Sequence, residues 1–476
     1  MHSASCLTRV DFSTIPATSL FAVLNELLRA VDGRVVLLRP LTASFDSHCD
    51  DIDLLLTESQ REQILRAAFT HCTQGRMHCR IQQSSPAKAK LILWTIDCAQ
   101  KLMIDLWTSF DQLPRHRYSC IPADRLLPAL NASYPGGQTQ INEKIPALRQ
   151  LPPDIDLCLL IQHLATKRRH VTLTTVRARI ASARDRLASW SPGPTSQHVS
   201  HDALAALRAV ADQLPHAITI TSRFVALSED YLLQRLINVP SNRGLPVLET
   251  RRRRGWMTEL RRIVLKHRPT VAAVGSDGAG KSSVVSALAQ LHPKAIPVVA
   301  KKLYRRSLTY QIISALIQQL RGTDRGTFDD RTALPVTLRA TVALWINMCF
   351  SELPCTTILD RSIASFLITE RKSDIPLLAR GARWIETLIP PVTSVLLTLP
   401  HLELTRRKQE MSAPGHDTYQ RMLFEQALRQ QPTDLVLLAN LPSVQAAATA
   451  VCELLRDEGR SAESSTETAG NRKVAA

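Results

Sequence analysis

The sequence lacks any run of about 18 uncharged apolar residues, the length that a helix needs to cross a lipid bilayer. We therefore expect no transmembrane segment. The first residues also lack the basic start and apolar core of a secretory signal, so we expect a cytoplasmic protein. No internal repeat is visible in the 476 residues, a length that predicts two or three domains.

Closely spaced cysteine pairs are also missing. Ten cysteines occur at scattered positions, and none belongs to a Cys-x-x-Cys pair. In a cytoplasmic protein this pattern favours reduced thiols over a disulfide framework. The His-Cys pairs at 71–72 and 78–79 do not match the spacing of a four-ligand zinc site either.

Aromatic residues are few, at 5% of the chain, whereas positive charge is abundant. Lys and Arg outnumber Asp and Glu by 59 to 42, which gives a formal net charge of +17. Such an excess suits polyanionic partners, namely nucleotides, nucleic acid or an acidic membrane surface. Because the basic residues are widely spread, a generally basic surface that serves solubility is an equal alternative.

The clearest chemical pattern lies in residues 271–284, which read VAAVGSDGAGKSSV. Gly275, four further residues and then Gly280-Lys281-Ser282 form a complete phosphate-binding loop. The apolar run before this loop predicts a buried strand, and the residues after it predict a helix. The order strand, loop, helix is the one in which phosphate-binding loops occur.

The residue types in the loop explain the predicted chemistry. Its glycines let successive backbone N–H groups face phosphates, while Lys281 reaches the outer phosphates and the Ser282 hydroxyl is placed to hold Mg²⁺. The sequence therefore predicts that the chain binds ATP with Mg²⁺. The predicted nucleotide-binding residues are Gly275, Ser276, Asp277, Gly278, Ala279, Gly280, Lys281, Ser282 and Ser283.

From residue 269 onward the pattern alternates between short apolar strands and helices, which predicts an α/β fold with a parallel sheet. The predicted strands are 271–274, 296–300, 356–359, 395–399 and 435–438. The third of these strands ends in Asp360 and Arg361. At that end of a parallel sheet, Asp360 can hold the Mg²⁺ shell and Arg361 can clamp a phosphate. The alternative is that Asp360 caps a helix and Arg361 is a solvated side chain.

A basic helix follows the fourth strand. It carries Arg406, Arg407 and Lys408, and a Pro-Gly break comes shortly after it at 414–415. Such a segment fits a mobile lid that closes over phosphates. An exposed charged helix is the alternative interpretation.

These residues resemble the thymidylate kinase family. GSDGAGKSS, ILDRS, LTLPHLELTRRKQE and GHDTYQRMLFEQAL occur in that family's order, over residues 269–457. The resemblance implies a five-stranded parallel core and transfer of the ATP γ-phosphoryl group to a nucleoside monophosphate. It also implies catalytic roles for Lys281, for Asp360 in the metal shell, for Arg361 at the acceptor phosphate and for Arg406 from the lid.

Two departures bear on the acceptor. The family usually has Tyr after the Asp-Arg pair, where this chain has Ser362, and the family's Arg-Glu-Pro-Gly turn is replaced by AKKLYRR at 300–306. The resemblance places Asp277 near the acceptor sugar, but the acceptor could be a nucleotide or another phosphorylated metabolite. A nucleotide-dependent switch or scaffold with little kinase turnover is an alternative function.

A second chemical signal lies near the N-terminus, in Asp51-Ile52-Asp53. Alternation along a strand places Asp51 and Asp53 on one face, and Asp105 in the apolar strand 101–107 is a candidate third carboxylate. Residues 15–150 resemble the polymerase-beta type of nucleotidyltransferase, in which three carboxylates hold two metal ions. The resemblance therefore implies Mg²⁺ at Asp51, Asp53 and Asp105. The usual Gly-Ser turn is absent, and Pro40 stands there instead.

The predicted organisation is a fusion of these parts. An α+β nucleotidyltransferase-like domain (15–150), a helical region (151–240) and a basic linker (241–268) precede the P-loop kinase-like domain (269–457) and a disordered tail (458–476). An alternative function is nucleotidyl transfer at the N-terminal carboxylates. The sequence leaves the oligomeric state open.

Overall fold

The computed structural model describes most of the chain, in separate ranges. They are 19–31, 35–38, 51–109, 148–166, 174–191, 199–237, 270–292, 295–300, 306–321, 357–362, 392–407, 412–430 and 433–455, with a few single positions besides. The predicted linker at 241–268, the tail at 458–476 and Pro40 lie outside the described residues. Within the described ranges, every helix is too short or too polar to cross a bilayer.

The described residues of the N-terminal half form two helices and six strands, which include the strands expected around Asp53 and over residues 101–107. The elements are α1 (Leu20–Arg29), β1 (Val35–Leu37), β2 (Asp51–Leu55), α2 (Glu58–Thr73), β3 (His78–Ser85), β4 (Lys88–Trp94), β5 (Lys101–Trp107) and β6 (Leu148–Gln150). Helix α2 begins with a capping box in which Thr57 and Gln60 each accept a hydrogen bond from the other's backbone N–H. Strands β3 and β6 are not expected from the sequence, because the polar second half of HCRIQQSS hides the alternation of β3 and because β6 has only three residues.

The helical region forms a layer against the β1 end of the sheet. Its helices are α3 (Pro153–Thr166), α4 (Thr174–Ser189), α5 (His201–Gln213) and α6 (Ser222–Leu232). Two carboxylates near the start of α3 are buried and ion-paired, Asp154 with Arg235 and Asp156 with Arg186. In these ion pairs the arginines neutralise the two buried carboxylates inside the helical layer.

The C-terminal half alternates strands and helices, as its pattern predicts. The elements are β7 (Thr270–Val274), α7 (Lys281–Leu291), β8 (Ile296–Val298), α8 (Leu308–Arg321), β9 (Thr357–Leu359), β10 (Thr393–Leu397), α9 (His401–Arg407), α10 (Ala413–Arg429) and β11 (Thr433–Leu438). A last helix, α11, spans residues 444–455. The described parts of the chain therefore form a mixed α/β structure.

The eleven strands in the described part of the chain belong to one sheet, in the order β6-β1-β2-β5-β4-β3-β11-β10-β7-β9-β8. The last five strands of the chain run parallel to one another. The expected five-stranded sheet of a separate C-terminal domain is nevertheless not confirmed, because β11 pairs with β3 of the N-terminal half. That pairing is antiparallel, so the sheet is mixed as well as larger than expected.

Helices cover both faces of the sheet. One face packs against α1, α2 and α10. The opposite face packs against α3 to α6 near β1 and β2, and against α7 and α11 near the C-terminal strands. This layering buries both faces of the parallel strands, which explains their short and continuously apolar sequences.

The β3–β11 junction is fastened by buried polar contacts. The Arg80 guanidinium donates from Nε and Nη2 to the two carboxylate oxygens of Asp434, at 2.7 and 2.8 Å, and from Nη1 to the Leu454 carbonyl at 3.0 Å. Thr393 on β10 donates its hydroxyl to the same carboxylate at 2.6 Å. One bidentate ion pair therefore links β3, β11, β10 and α11.

A buried histidine lies at the end of the same junction. The His78 Nδ1 atom accepts a hydrogen bond from the Ala439 backbone N–H at 3.0 Å, and its Nε2 atom lies 3.1 Å from the Ile96 carbonyl. Burial lowers the pKa of His78 to about 4, so the ring is neutral at physiological pH. The neutral His78 ring therefore links Ile96 of the N-terminal half to Ala439 of the C-terminal half, and it places no unpaired charge in the interior.

We predict that Arg80→Ala lowers the free energy of unfolding by about 3–5 kcal/mol, because it leaves the Asp434 carboxylate without its buried partner. The control Arg66→Ala removes a surface pair with Glu62, whose side chains are 63% and 62% exposed, and should cost at most about 1 kcal/mol. Urea unfolding of the full chain measures both values. An Arg80→Ala loss no larger than the control's would contradict the proposed importance of this junction.

Candidate functional site

The site lies where three parallel strands end side by side. β7 pairs with β10 on one side and with β9 on the other. The phosphate-loop sequence 275–280 follows β7, and Asp360 and Arg361 follow β9. Carboxyl ends of neighbouring parallel strands form a crevice in which α/β proteins bind ligands.

The glycines of the loop allow backbone angles that other residues rarely adopt, and they leave room where a side chain would clash. Gly278 and Gly280 have φ values of 92° and 84°, which lie in the left-handed region. A Cβ atom on Gly275 would lie 3.1 Å from the Leu397 carbonyl oxygen and 3.3 Å from the Ala279 Cβ. The loop therefore packs closely against β10 and leads directly into α7.

Lys281 occupies the centre of the loop. Its Nζ donates to the carbonyls of Gly275 and Ser276, at 3.0 and 2.8 Å, and lies 3.3 Å from the Asp277 carboxylate. Burial lowers the pKa of Lys281, while the Asp277 carboxylate opposes that shift. The ammonium group is thus held within the loop, at the N-terminal end of α7, where a helix favours anions.

The Asp-Arg pair after β9 contacts the loop and the end of β8. Arg361 donates from Nη2 to the Asp277 carboxylate at 2.8 Å. Asp360 is 9% exposed and accepts a hydrogen bond from the Ala300 N–H at 2.8 Å. The structure therefore brings Asp277, Lys281 and Arg361 together, with Asp360 beside them.

The other residues predicted from the C-terminal motifs are more exposed. Ser282 and Ser283 lie in the first turn of α7 with exposed side chains. Arg406 on α9 is 66% exposed and pairs with Glu403 of its own helix at 2.6 Å. Residue 408 of the predicted lid lies outside the described residues, so the lid stays a prediction.

His416 on α10 also contacts the loop, although it is not among the predicted site residues. Its ring is fully buried, and Nδ1 lies 3.0 Å from the Ser276 hydroxyl of the loop. Its Nε2 lies 2.7 Å from the Leu399 carbonyl, to which Gln420 also donates at 2.9 Å. The signal in the sequence is the spacing of His416 and Gln420, which places both on one face of a helix.

A cavity of about 130 Å³ adjoins the loop on the β11 side. It is lined by Ala279 and Gly280 of the loop, by the ends of β10 and β11, and by residues 440–444. Most of the lining is apolar, with the polar side chains of Thr398, Asn440 and Ser443 among it. Such a lining suits a flat, mostly apolar group that is attached to a phosphate chain in the loop.

The N-terminal carboxylates lie on adjacent strands at a different place in the sheet. Asp53 on β2 is directly opposite Asp105 on β5, and Asp51 lies two residues before Asp53. Burial raises the pKa of Asp105 to about 6, against the opposing effect of Lys88. In the described part of the chain, no group of three or more His, Cys, Asp or Glu side chains is arranged to hold a metal ion.

Comparisons with known proteins add little to this geometry. Neither the protein-family models nor the curated proteins give a match. Among solved structures, the chain is similar to deoxyadenosine kinase from M. mycoides, solved with products dCMP and a flexible dCDP bound. The identity is 13%, the match covers 39% of this chain and 98% of that chain, and the TM-score is 0.27. At that score the likeness carries no argument.

The Ser276–His416 contact leads to a prediction of energetic coupling between the loop and α10. We expect Ser276→Ala and His416→Phe each to destabilise the protein by about 1–3 kcal/mol, since each leaves a buried polar group unpaired. In the double variant the two losses should fall short of additivity by about 0.5–3 kcal/mol. Thermal or urea unfolding of the wild-type chain, the two single variants and the double variant completes this double-mutant cycle.

The matched control is Ser286→Ala, at an exposed position of α7, which should change stability by no more than about 0.5 kcal/mol. Strictly additive losses for Ser276→Ala and His416→Phe would show that the two side chains do not interact in solution.

Proposed function

We propose that this chain binds ATP with Mg²⁺ in the loop 275–283 and transfers the γ-phosphoryl group to a small phosphorylated acceptor, as the thymidylate kinase family does. The observation that carries the proposal is the buried ammonium group of Lys281. It is held inside a glycine loop that joins a central parallel strand to a helix N-terminus. Such a loop supplies backbone N–H groups, a helix dipole and a fixed cation for phosphates.

Lys281 would exchange partners when the nucleotide enters. Its present acceptors are two loop carbonyls and the partly exposed Asp277 carboxylate. The phosphate oxygens of ATP carry more negative charge than a carbonyl, and a charge-assisted hydrogen bond is stronger than a neutral one. The base of ATP would then lie in the cavity beside Ala279 and Gly280, which supports the placement of ATP on this side of the loop.

The oxygen donors at the site fit Mg²⁺. The Ser282 hydroxyl at the start of α7 and the Asp360 carboxylate at the end of β9 would hold the ion, which prefers such ligands. When bound, Mg²⁺ neutralises charge on the phosphates. The Ala300 N–H donates to one carboxylate oxygen of Asp360 and restrains that side chain, which supports this proposed role.

Arg361 and Asp277 face the acceptor side of the loop in this proposal. The Arg361 guanidinium would leave Asp277 to bind the acceptor's phosphate, and Asp277 would then be available to the rest of the acceptor. Arg406 would reach the phosphates only if α9 moved as a lid. The acceptor is a nucleoside monophosphate or a related phosphorylated metabolite.

Calorimetry with Mg²⁺ and a non-hydrolysable ATP analogue tests nucleotide binding. We expect Lys281→Met to weaken binding by about 10- to 150-fold, since a hydrogen bond to a charged group contributes about 1.5–3 kcal/mol. The control Lys302→Met removes a positive charge from an exposed position nearby and should change affinity by less than about threefold. The absence of any binding heat from the wild-type chain would refute the proposal.

Release of ADP in the presence of a panel of nucleoside monophosphates and other phosphorylated metabolites tests the transfer step. At least one acceptor should stimulate release, and Arg361→Ala should lower the stimulated rate by about 10²–10³-fold, as expected for loss of a charge-stabilising group. ATP binding without stimulation by any acceptor would favour a nucleotide-dependent switch or scaffold instead.

A further inference from the structure

The N-terminal carboxylates share their face of the sheet with two lysines and a tryptophan. The register of the strands places Asp53 opposite Asp105, Asp105 opposite Lys90, and Trp107 opposite Lys88. Residues that are directly opposite in neighbouring strands lie on the same face. Strand β4 therefore presents two ammonium groups to the carboxylates of β2 and β5.

Each of the three carboxylates already has a close partner, either an ammonium group or an N–H donor. Lys90 Nζ lies 3.0 Å from Asp51 Oδ1, and Lys88 Nζ contacts Asp105 Oδ2. The Trp107 indole N–H donates to Asp53 Oδ1 at 3.0 Å. These three contacts use one oxygen of every carboxylate that the nucleotidyltransferase resemblance assigns to metal binding.

The burial and charge of the cluster make those contacts effective. The side chains of Asp105 and Lys88 are only 3% and 21% exposed. Lys88 Nζ is also 4.4 Å from the centre of the Trp107 ring, which favours the cation at that point. With two ammonium groups beside three carboxylates, the formal charge of the cluster is −1 rather than −3. A divalent cation would find these carboxylates already paired with other groups. It would also be repelled by the two ammonium groups nearby.

We infer that Lys88 and Lys90 are the built-in counter-ions of Asp51, Asp53 and Asp105, and that they take the place of divalent cations in this cluster. The residues present therefore do not fit the two metal ions that the resemblance implies. The N-terminal half then has no metal-dependent nucleotidyl transfer, and the cluster instead ties β2, β5 and β4 together through charge. This inference does not depend on ATP binding at the phosphate loop.

The test is to remove the counter-ions and ask whether the cluster gains a metal site. The carboxylates are retained on adjacent strands, and both Asp51 Oδ1 and Asp105 Oδ1 are buried without a hydrogen-bond partner in the described part of the chain. Asp105 Oδ1 is therefore available as a ligand atom, and Asp51 Oδ1 becomes available once its ion pair with Lys90 is removed. Lys88→Met and Lys90→Met keep the apolar stems of the lysines and remove their charge. Mn²⁺ is the probe, titrated into nucleotide-free full-length protein and followed by electron paramagnetic resonance of the free ion.

In the wild-type chain, Asp53→Asn should leave Mn²⁺ binding unchanged. In the double lysine variant, Mn²⁺ affinity should rise by at least about tenfold, and adding Asp53→Asn should abolish the gain. Lys101→Met, on the same face of β5 but at its other end, is the control and should produce no gain. If the double variant does not fold, Lys90→Met alone serves, because Lys90 is 29% exposed and lies on the open side of the cluster.

Two results would overturn the inference. One is Mn²⁺ binding by the wild-type chain that Asp53→Asn removes, since the lysines would then coexist with a metal ion. The other is a folded lysine variant that gains no Mn²⁺ affinity, since the lysines would then not be what keeps the cation out. Circular dichroism of each variant establishes that it is folded before titration.

Discussion

The antiparallel pairing of β3 with β11 is the constraint on which the rest of the structure depends. Without it, β11 would be an exposed edge, and the five parallel strands that carry the phosphate loop would form a sheet of their own. Pairing places the last of those strands inside an eleven-stranded sheet. Arg80 is 2% exposed and forms an ion pair with Asp434 across that junction, so separation of the halves would break a buried ion pair.

The phosphate loop depends on the same arrangement in a second way. The loop contacts two elements that pack in or against the sheet. Ser276 lies within hydrogen-bond distance of His416 on α10, and Gly275 packs against β10. Lys281 is buried within this frame and donates to loop carbonyls. These contacts hold the backbone of the loop in place, so that only side chains such as Lys281 have to exchange partners when a triphosphate binds at the helix start. That preorganisation is the physical basis of the proposed kinase activity.

The sequence predicted local features well because they depend on near neighbours. The strand-loop-helix around Lys281 and the shared face of Asp51 and Asp53 both follow from short-range periodicity. The contacts it missed join distant positions, as between Arg80 and Asp434, which lie 354 residues apart, and between Ser276 and His416, which lie 140 apart. No motif in the sequence draws attention to Lys88 and Lys90, because it is the register of β4 against β5 that brings them to the carboxylates.

The central claim is that the main-chain amides around Lys281 hold a triphosphate. Hydrogen–deuterium exchange of the full chain, with and without Mg²⁺-ATP, tests it most directly, because bound phosphates should protect those amides. We predict slower exchange in the peptide that spans residues 275–285, and loss of that protection in Lys281→Met. Unchanged exchange in this peptide under saturating ATP, with protection elsewhere in the chain, would contradict the account.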